Sequence, residues 1–411
     1  YGQFFKGGFF RNFFVKYPEA NNMHKKMLQV SQRLQTLKKG KPLIGEKERD
    51  SRLSEAQNEL FKGQCNCAYW HGVFGGLYLN YLRHAVYEHL LKAEHLLEKY
   101  SRGKDDFADI IVTDFDKDGL DEVVLSNNML NLYFSPAEGG ALFELDYKPK
   151  FFNLINTLAR REEVYHDKIR HAAAQAPAHK TGATSIHEIV GMKESGLEKA
   201  LVYDWHRRIS LLDHFLGEGT DLDKFSRVQY EEAGDFVDQP YDFMPQRHGS
   251  EVSLSLSRSG RVKGNPVKVE KTISLYARQS IVEIKYEITN THKEGVDLWF
   301  APEFNFSLLA GNATDRYYEV EGAVLDDRTM ASRGVLENIK LIKIVDEWKG
   351  FGVLLALDKP ANFWRFPIET VSQSESGFEK TYQSSVLLPN WKFSLKPNEK
   401  WNTKIVLRIE D

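Results

Sequence analysis

Residues Glu251–Phe306 read EVSLSLSRSGRVKGNPVKVEKTISLYARQSIVEIKYEITNTHKEGVDLWFAPEFNF. Apolar and polar residues alternate in four runs of this stretch, which are EVSLSLSRSG, VKVEKTISLYA, IVEIKYEIT and VDLWFAPEFNF. A period of two is typical of strands that bury one face, and turn residues separate the runs. The stretch therefore predicts successive antiparallel strands in a large β-sandwich.

The strand signal continues on both sides of this stretch. Residues 108–147 form short β-rich runs separated by Asp/Gly, Asn/Asn and Pro/Gly turns, and SSVLLP and KIVLRI close the chain. Residues 160–200 differ, because they are rich in Ala, His and charge and show little strand pattern. We predict a sandwich domain over 105–411 with a long surface excursion near 160–200 that contains one helical piece.

The first hundred residues are predicted to be helical. Three stretches carry the signal, EANNMHKKMLQVSQRLQTLKK, EKERDSRLSEAQNELFKG and YLRHAVYEHLLKAEHLLEKY. The first and third place apolar residues on one face at helical spacing. The expected fold class is α+β, with a three-helix segment over 1–104 followed by the sandwich.

Composition excludes several classes of function. The 411 residues carry a net charge of −3, so nothing indicates a nucleic-acid footprint or a basic membrane patch. No apolar run approaches the roughly 18 residues of a membrane span, and no strand precedes a nucleotide-binding glycine loop. Cys65 and Cys67 are too close together for an ordinary disulfide, which favours a reducing, cytoplasmic location.

The stretch GQCNCAYWHGVFGGLYL, Gly63–Leu79, leaves three interpretations open: a sugar-binding edge, a metal site or a packed corner. Aromatic rings suit stacking on a pyranose, short polar groups suit sugar hydroxyls, and glycines allow close backbone approach. The candidate substrate-binding residues are Gln64, Asn66, Tyr69, Trp70 and His71. A zinc site built from Cys65, Cys67 and His71 lacks the further ligands of a closed tetrahedral site.

The acidic turn TDFDKDGLDE is a second candidate site. Asp114, Asp116 and Asp118 alternate before Gly119, which resembles the start of a calcium loop. Position 12 of that loop is Leu125, so the turn is not an EF-hand. It is predicted either to bind structural calcium through Asp114, Asp116, Asp118 and Glu122 or to be a solvated Asp/Gly turn.

Long phrases of the chain resemble the C-terminal part of glycoside hydrolase family 57, on its α-amylase/4-α-glucanotransferase branch. They are GGFFRNFFVKYPEANNMHKKMLQVS, QCNCAYWHGVFGGLYLNYLRHAVYEHL, GGALFELDYKPKFFNLINTLARREEVYHD, ISLLDHF and FPIETVSQSESGFEKTYQSSVLLP. The resemblance implies a helical segment packed on a catalytic barrel, followed by a galactose-mutarotase-like sandwich. It also implies retaining chemistry on α-1,4-glucosidic bonds, with both catalytic carboxylates on the barrel, upstream of Tyr1.

We therefore expect a non-catalytic part of an α-1,4-glucan-acting enzyme that completes the active-site cleft and binds maltooligosaccharide. Its expected partner is the N-terminal barrel, in cis or in trans, and no cofactor is required, although calcium is possible. The alternatives are a stand-alone carbohydrate-binding or regulatory protein and a structural sandwich that forms a homodimer. Cys67 stands where the family usually has Asp, which puts normal substrate handling in doubt.

The resemblance gives two further groups of residues an interpretation. Arg11 and Asn12 are expected to anchor the barrel's last turn, with Phe9, Phe10, Phe13 and Phe14 packed against it. Sandwiches of the mutarotase type can carry acid/base residues, so Glu303, Asp204 and His206 are candidates for such a group. The alternative for these three residues is a buried structural pairing.

Overall fold

The computed structural model describes residues 10–41, 45–72, 74–103, 105–174, 193–374 and 377–411. Four helices precede the first strand: α1 (Phe10–Lys16), α2 (Pro18–Lys39), α3 (Glu46–Lys62) and α4 (Asn80–Arg102). The three predicted helices correspond to α2, α3 and α4, while α1 was not predicted. Pro18 occupies the first turn of α2, where a missing amide proton costs no intrahelical hydrogen bond.

The predicted apolar faces of α2 and α4 form the core of the helical segment. Met23, Val30 and Leu34 of α2 are buried, as are Leu90 and Leu97 of α4. They belong to one apolar cluster that also takes residues from α3 and from the segment between α3 and α4. The helices therefore pack as one layer, as their spacing predicted.

The first sheet is an antiparallel meander of five strands in sequence order. Its strands are β1 (Ala108–Thr113), β2 (Glu122–Asn127), β3 (Leu130–Ser135), β4 (Ala141–Tyr147) and β5 (Phe152–Asn153). β3 and β4 are buried along their whole length. This is the arrangement expected for a sheet covered on both faces.

The second sheet has eleven strands. They are β6 (Leu212–Phe215), β7 (Asp242–His248), β8 (Glu251–Val262), β9 (Asn265–Tyr276), β10 (Ile281–Asn290), β11 (Val296–Phe306), β12 (Arg316–Val320), β13 (Gly334–Asp346), β14 (Phe351–Ser374), β15 (Gly377–Leu395) and β16 (Lys400–Glu410). The main path runs β6-β11-β15-β14-β16-β10-β9-β8-β7, and β12 and β13 extend from β14. All the strand pairs are antiparallel.

The four runs that predicted the sandwich became β8, β9, β10 and β11. In β10 buried and less buried residues alternate strictly, as a strand with one core face requires. The β8–β9 hairpin closes over Lys263 and Gly264, both with positive φ, which is the twist-matched turn that favours glycine.

The second sheet folds over on itself, so that its end strand β6 faces β9 and β10, and this makes the sandwich. Asp213 of β6 accepts hydrogen bonds from Lys271 of β9 and Tyr286 of β10, both at 2.8 Å, although these strands lie far apart in the sheet order. Tyr286 also contacts the ring of Phe300 in β11 at 5.1 Å. The enclosed apolar cluster includes residues of both sheets, so the predicted α+β fold with a large antiparallel sandwich is confirmed.

The excursion near 160–200 is described in part. Helix α5 (His166–Ala174) is the predicted helical piece, and a short 3-10 helix covers Leu197–Ala200. Residues 175–192 lie outside the described residues. A five-residue helix, α6 (Leu222–Ser226), follows β6. The domain boundary at 104/105 stays a prediction.

Among the described residues, no helix combines the length and the apolar character needed to cross a bilayer.

Candidate functional site

The segment Gly63–Leu79 connects α3 to α4 and turns back on itself. Two short 3-10 helices lie within it, Asn66–Tyr69 and Gly76–Tyr78. The amide of Leu77 donates to the carbonyl oxygen of Trp70 at 2.8 Å, which closes the loop. Gly76 has φ +50°, and a Cβ on it would lie 2.3 Å from that same oxygen. Glycine at this position is therefore a condition for holding Trp70 in place.

Three of the five predicted substrate-binding residues lie at the surface. The indole of Trp70 is 53% exposed, and Gln64 and Asn66 are exposed beside it in the chain. Nε2 of Gln64 lies 3.5 Å from the sulfur of Met27. This part of the segment presents an aromatic face and amide groups that remain available to a ligand.

The other two predicted residues point into the protein. Tyr69 is buried, and its hydroxyl donates to the carbonyl of Gly63 at 2.6 Å. His71 is half-buried, with Nδ1 3.1 Å from the carbonyl of Gly75 and its ring on that of Tyr78 at 4.5 Å. Burial lowers the pKa of His71, which keeps the imidazole neutral. These two side chains brace the loop, and their predicted contact with substrate stays a prediction.

A buried carboxylate beneath the segment was not predicted. Glu163 accepts hydrogen bonds from Tyr17 at 2.5 Å, Tyr78 at 2.7 Å and Lys16 at 2.8 Å. Burial tends to raise the pKa of Glu163, but these three donors outweigh it and hold the pKa below its ordinary value. Glu163 lies far from Tyr17 in sequence, so no local pattern indicated that they meet. Its charge fixes α1, α2 and the turn relative to one another.

Several apolar side chains of α1 and of the turn are exposed. The large ones are Phe10, Val15, Trp70 and Phe74. Phe13 is half-buried and Phe14 is buried, and Arg11 and Asn12 are exposed. The ring of Phe14 contacts His24, whose ring in turn contacts Tyr69. Phe9 lies outside the described residues. We call Phe10, Val15, Trp70 and Phe74 the apolar edge.

The metal interpretation of Cys65, Cys67 and His71 gains nothing from the geometry. Both thiols are free and exposed. Within the described ranges, the three residues do not form a group of mutually close ligand atoms.

The acidic turn brings together three of its four predicted ligands. Carboxylate oxygens of Asp114, Asp116 and Glu122 lie within 4.8 Å of one another. Asp118 is outside this group, and its Oδ1 accepts from the amide of Leu120 at 2.8 Å instead. Oδ1 of Asp114 has no hydrogen-bond partner. The predicted set of four ligands thus divides into three convergent carboxylates and one turn residue.

The neighbouring carboxylates of this turn raise one another's pKa. Glu122 is buried and accepts from the amides of Phe115 at 2.8 Å and Asp116 at 3.3 Å. Burial, followed by the charge of Asp116, raises the pKa of Glu122 to about 7. Burial and Asp118 also raise the pKa of Asp116. A divalent cation between these groups would remove the repulsion.

The candidates Asp204, His206 and Glu303 lie in the sandwich, where His206 and Glu303 are buried and Asp204 is half-buried with its carboxylate fully covered. Arg208 links two of them, donating to Asp204 at 2.7 Å and to Glu303 at 2.8 Å. Burial tends to raise the pKa of Asp204, but Arg160 and Arg208 outweigh it and hold the pKa well below its ordinary value. The group is thus a buried ionic network, the second of the two interpretations.

Comparison with known proteins identifies the family. The profile described as "Alpha-amylase/4-alpha-glucanotransferase, C-terminal" matches residues 114–405, and the profile of the corresponding "middle domain" matches residues 8–97. The chain is 37% identical to "Alpha-amylase 1" of Dictyoglomus thermophilum over 98% of its length and 55% of that protein. It is 35% identical to "4-alpha-glucanotransferase" of Thermococcus kodakarensis over 95% of its length and 52% of that protein.

A solved structure agrees with these matches. The 4-alpha-glucanotransferase from Thermococcus litoralis superposes with a TM-score of 0.73 at 30% identity, over 98% of this chain and 53% of that one. The chain thus spans about half the length of the curated relatives it matches. As the sequence resemblance predicted, the chain belongs to the α-amylase/4-α-glucanotransferase branch of glycoside hydrolase family 57 and corresponds to that family's middle and C-terminal domains.

Proposed function

We propose that this chain is the non-catalytic, supporting part of an α-1,4-glucan-acting enzyme and that Gly63–Leu79 forms one edge of its glucan cleft. The names of the relatives, an alpha-amylase and a 4-alpha-glucanotransferase, supply the substrate class. The proposal assigns bond cleavage to a catalytic barrel that acts together with this chain, in cis or in trans.

The observation that carries the proposal is the position of Trp70. Its indole is 53% exposed although its backbone is fixed by the glycine turn and the bond from Leu77. A large aromatic side chain held exposed on a rigid support offers a face on which a ligand can stack. The flat ring suits the apolar C–H face of a glucose unit, and Gln64 and Asn66 can bond its hydroxyl groups.

The charged groups of the chain support the non-catalytic part of the proposal. Retaining glycosidases hold two carboxyl groups about 5–5.5 Å apart across a sugar-binding cleft. Glu144 and Asp146 are close together, but both are fully buried and both bond Lys26. The carboxylates of Asp204 and Glu303 are likewise buried and bound to Arg208. None of these carboxylates can reach a polysaccharide.

The apolar edge supports the assignment of the partner. Phe10 and Val15 of α1 and Phe74 of the turn that carries Trp70 are each more than half exposed. Burying them against a barrel would gain roughly 1.5–3 kcal/mol for each fully covered side chain. The same contact would set Trp70 at the rim of the partner's cleft.

Binding of maltoheptaose tests the role of Trp70. Trp70→Ala should weaken binding by about 1–2 kcal/mol, a factor of roughly 5–30, in the assembly with the barrel, measured by calorimetric titration. The matched control is Trp348→Ala, because Trp348 is 57% exposed but lies in the turn between β13 and β14. Equal affinity of the Trp70 variant and the parent would refute the cleft-edge role.

The activity of the chain without a barrel tests the non-catalytic role. The purified 411-residue chain should leave maltodextrin unchanged in length distribution, as followed by chromatography of the products. Cleavage or chain rearrangement by this material would overturn the proposal and would require an active acid pair within it.

We also infer a structural calcium ion at Asp114, Asp116 and Glu122. Three oxygen ligands, one of them an unpartnered Asp114 oxygen, suit a hard cation. Calcium should raise the melting temperature of the parent. Asp114→Asn should abolish that increase, while Asp118→Asn, which alters a carboxylate outside the group, should preserve it. An unchanged melting temperature of the parent with calcium would contradict the inference.

A further inference from the structure

A group of two histidines and one glutamate lies inside the sandwich. His214 is in β6 and Glu303 in β11, two strands that pair directly, and His206 precedes them on the segment leading into β6. One ligand atom from each of the three lies within 4.8 Å of the other two, and all three residues are buried. The rings of His206 and His214 are 5.3 Å apart between centroids.

Each imidazole uses its Nδ1 atom for a bond on the outside of the group. His214 Nδ1 lies 2.6 Å from Oε2 of Glu232, and His206 Nδ1 lies 2.8 Å from the carbonyl of Arg207. Such acceptors fix the tautomer in which Nδ1 carries the proton. In its neutral form each ring then keeps a free lone pair on Nε2. The Nε2 atom of His206 is buried without a hydrogen-bond partner, and that of His214 faces the carboxylate of Glu303.

Glu303 is oriented in a comparable way. Its Oε1 accepts from the side-chain amide of Asn305 at 2.7 Å, and its Oε2 accepts from Arg208 at 2.8 Å. Each carboxylate oxygen has a second lone pair that these bonds leave free. Oε2 lies 3.3 Å from Nε2 of His214. The charge of Arg208 is itself balanced by Asp204, which it contacts at 2.7 Å.

We propose that His206, His214 and Glu303 bind a divalent transition metal ion of the zinc class. Zinc accepts two imidazole nitrogens together with one carboxylate oxygen, whereas calcium and magnesium, which prefer oxygen ligands, do not favour the imidazoles. Metal-binding histidines usually donate their other ring N–H to a carboxylate or a carbonyl, and here Glu232 and Arg207 supply both kinds of acceptor. The metal would also satisfy the buried Nε2 atom of His206, which has no hydrogen-bond partner.

A proton competes with the metal for this place. Burial tends to lower the pKa of His214, but Glu232 and Glu303 outweigh it and raise the pKa to about 9. Burial lowers the pKa of His206 to about 4, so that ring is neutral. Binding of the metal must displace the proton from His214 and should strengthen as the pH rises. The bound ion would tie the segment of His206 to β6 and β11.

Metal content of the untagged 411-residue chain tests this site. Cys65 and Cys67 are exposed thiols, so the measurements use the double variant Cys65→Ser/Cys67→Ser as the parent, with excess calcium present to occupy the acidic turn. After chelation and reloading, the folded parent should retain one zinc per chain by elemental analysis. Cobalt should give the visible absorption bands of a low-symmetry, nitrogen-containing site.

Three variants locate the ion. His206→Ala removes a ligand and should abolish stoichiometric cobalt binding, whereas His248→Ala, at an exposed histidine of β7, should leave it unchanged. Glu232→Gln keeps the acceptor geometry but loses the charge, and it should weaken cobalt affinity by about 10–100-fold without removing a ligand. Circular dichroism checks that each variant is folded.

The parent alone keeps the proposal falsifiable if a variant fails to fold. A folded parent that retains neither zinc nor cobalt after reloading at pH 8 overturns the proposal and leaves protonated His214 between the two glutamates as the ground state. Zinc that persists unchanged in folded His206→Ala also overturns it, because the ion then lies elsewhere.

Discussion

The inner and outer faces of the helical segment differ in how they treat polar and apolar groups. On the inner face Lys26, Arg83 and Asn80 are buried against the sandwich, and each makes several hydrogen bonds to it. On the outer face the side chains of Phe10 and Trp70 are about half exposed. Polar and charged groups are thus buried on the inner face while large aromatic groups are exposed on the outer face, unlike a helix layer that serves only to cover a core.

The buried polar groups position the helical segment on the sandwich, and the exposed aromatic groups are the ones that a ligand or a partner can contact. A buried ion is costly unless every bond is made, so the inner face has one stable arrangement. Apolar groups on the outer face are adaptable and gain free energy only when a ligand or a partner covers them. The glycine turn at residues 75 and 76 is separated from α4 by three residues, and Leu77, directly after the turn, donates to the carbonyl oxygen of Trp70.

Removal of Lys26 should give the largest effect. Its ammonium bonds Asp146 at 2.6 Å and also Glu144 and Tyr133, all of them buried. Lys26→Met leaves Asp146 charged and uncompensated, and should lower the free energy of unfolding by about 3–5 kcal/mol. Urea denaturation measures it. Because protonation of Asp146 removes the uncompensated charge, the deficit should shrink at low pH.

The neighbouring residue supplies the control for Lys26. Lys25 is half-buried, and its ammonium bonds only Asn21 among the described side chains, at 2.8 Å. Lys25→Met should change the stability by less than about 1 kcal/mol. Similar losses in the two variants would mean that the inner face does not depend on its buried charge.

The turn between the two faces should give the next largest effect. Ala at Gly76 or at Gly196 requires a left-handed backbone, at a cost of about 1–2 kcal/mol. A Cβ at Gly196 meets nothing within 4 Å, whereas one at Gly76 meets the carbonyl oxygen of Trp70. Gly76→Ala should therefore cost about 1–3 kcal/mol more than Gly196→Ala in thermal unfolding, since backbone must move.

The same pair of variants also links the turn to binding. Displacement of Trp70 by Gly76→Ala should weaken maltoheptaose binding in the barrel assembly, while Gly196→Ala should leave it unchanged. If both variants bind glucan equally well, the turn serves stability alone and Trp70 does not depend on it.

Much of this fold could be predicted from sequence because the governing signals are local. β10 has one core face, so its period of two is visible in the letters, and α2 and α4 bury single stripes at helical spacing. α1 was missed because seven residues, five of them aromatic or charged, carry too little periodicity. β11 is buried on both faces near its end, so Glu303 gave no sign of which partner it meets.

The site could be predicted only in part, for reasons that are long-range. Tyr69 and Trp70 are adjacent aromatic residues, yet one is buried and the other exposed, because the glycine turn sets which way each points. Glu163 meets Tyr17 across 146 positions. Asp118 and Glu122 look alike in a ligand pattern, but the local turn bond to Leu120 removes Asp118 from the convergent group.

The acidic turn should make stability depend on pH. The pKa of Glu122 rises from an ordinary value of 4.5 to about 7 in the fold, mainly through burial. The folded state therefore binds this proton more tightly than the unfolded state. Stability is greatest below the ordinary pKa and falls as the pH rises to about 7, by on the order of 2 kcal/mol. Glu122→Gln should flatten this dependence in chelator-treated protein.

Calcium should oppose that loss if the inferred ion binds. Added at pH 7.5, it should recover the stability that the parent lost between pH 4.5 and 7, since the ion replaces the proton as counter-charge. Glu122→Gln should show no such recovery. If the stability of the chelator-treated parent does not change between pH 4.5 and 7, the fold does not raise the pKa of Glu122.

The smallest effect should come from the outer face itself, at the pair between Lys16 and Glu163. The side chain of Lys16 is 46% exposed, so water already screens its 2.8 Å contact. Lys16→Met should lower the free energy of unfolding by less than about 1 kcal/mol. Tyr78→Phe removes a buried hydroxyl from the same carboxylate and should cost about 1.5–3 kcal/mol, because that bond is shielded from water. Urea denaturation measures both losses. Equal losses in the two variants would mean that solvent exposure does not decide the strength of contacts at this carboxylate, and they would contradict the contrast between the inner and outer faces.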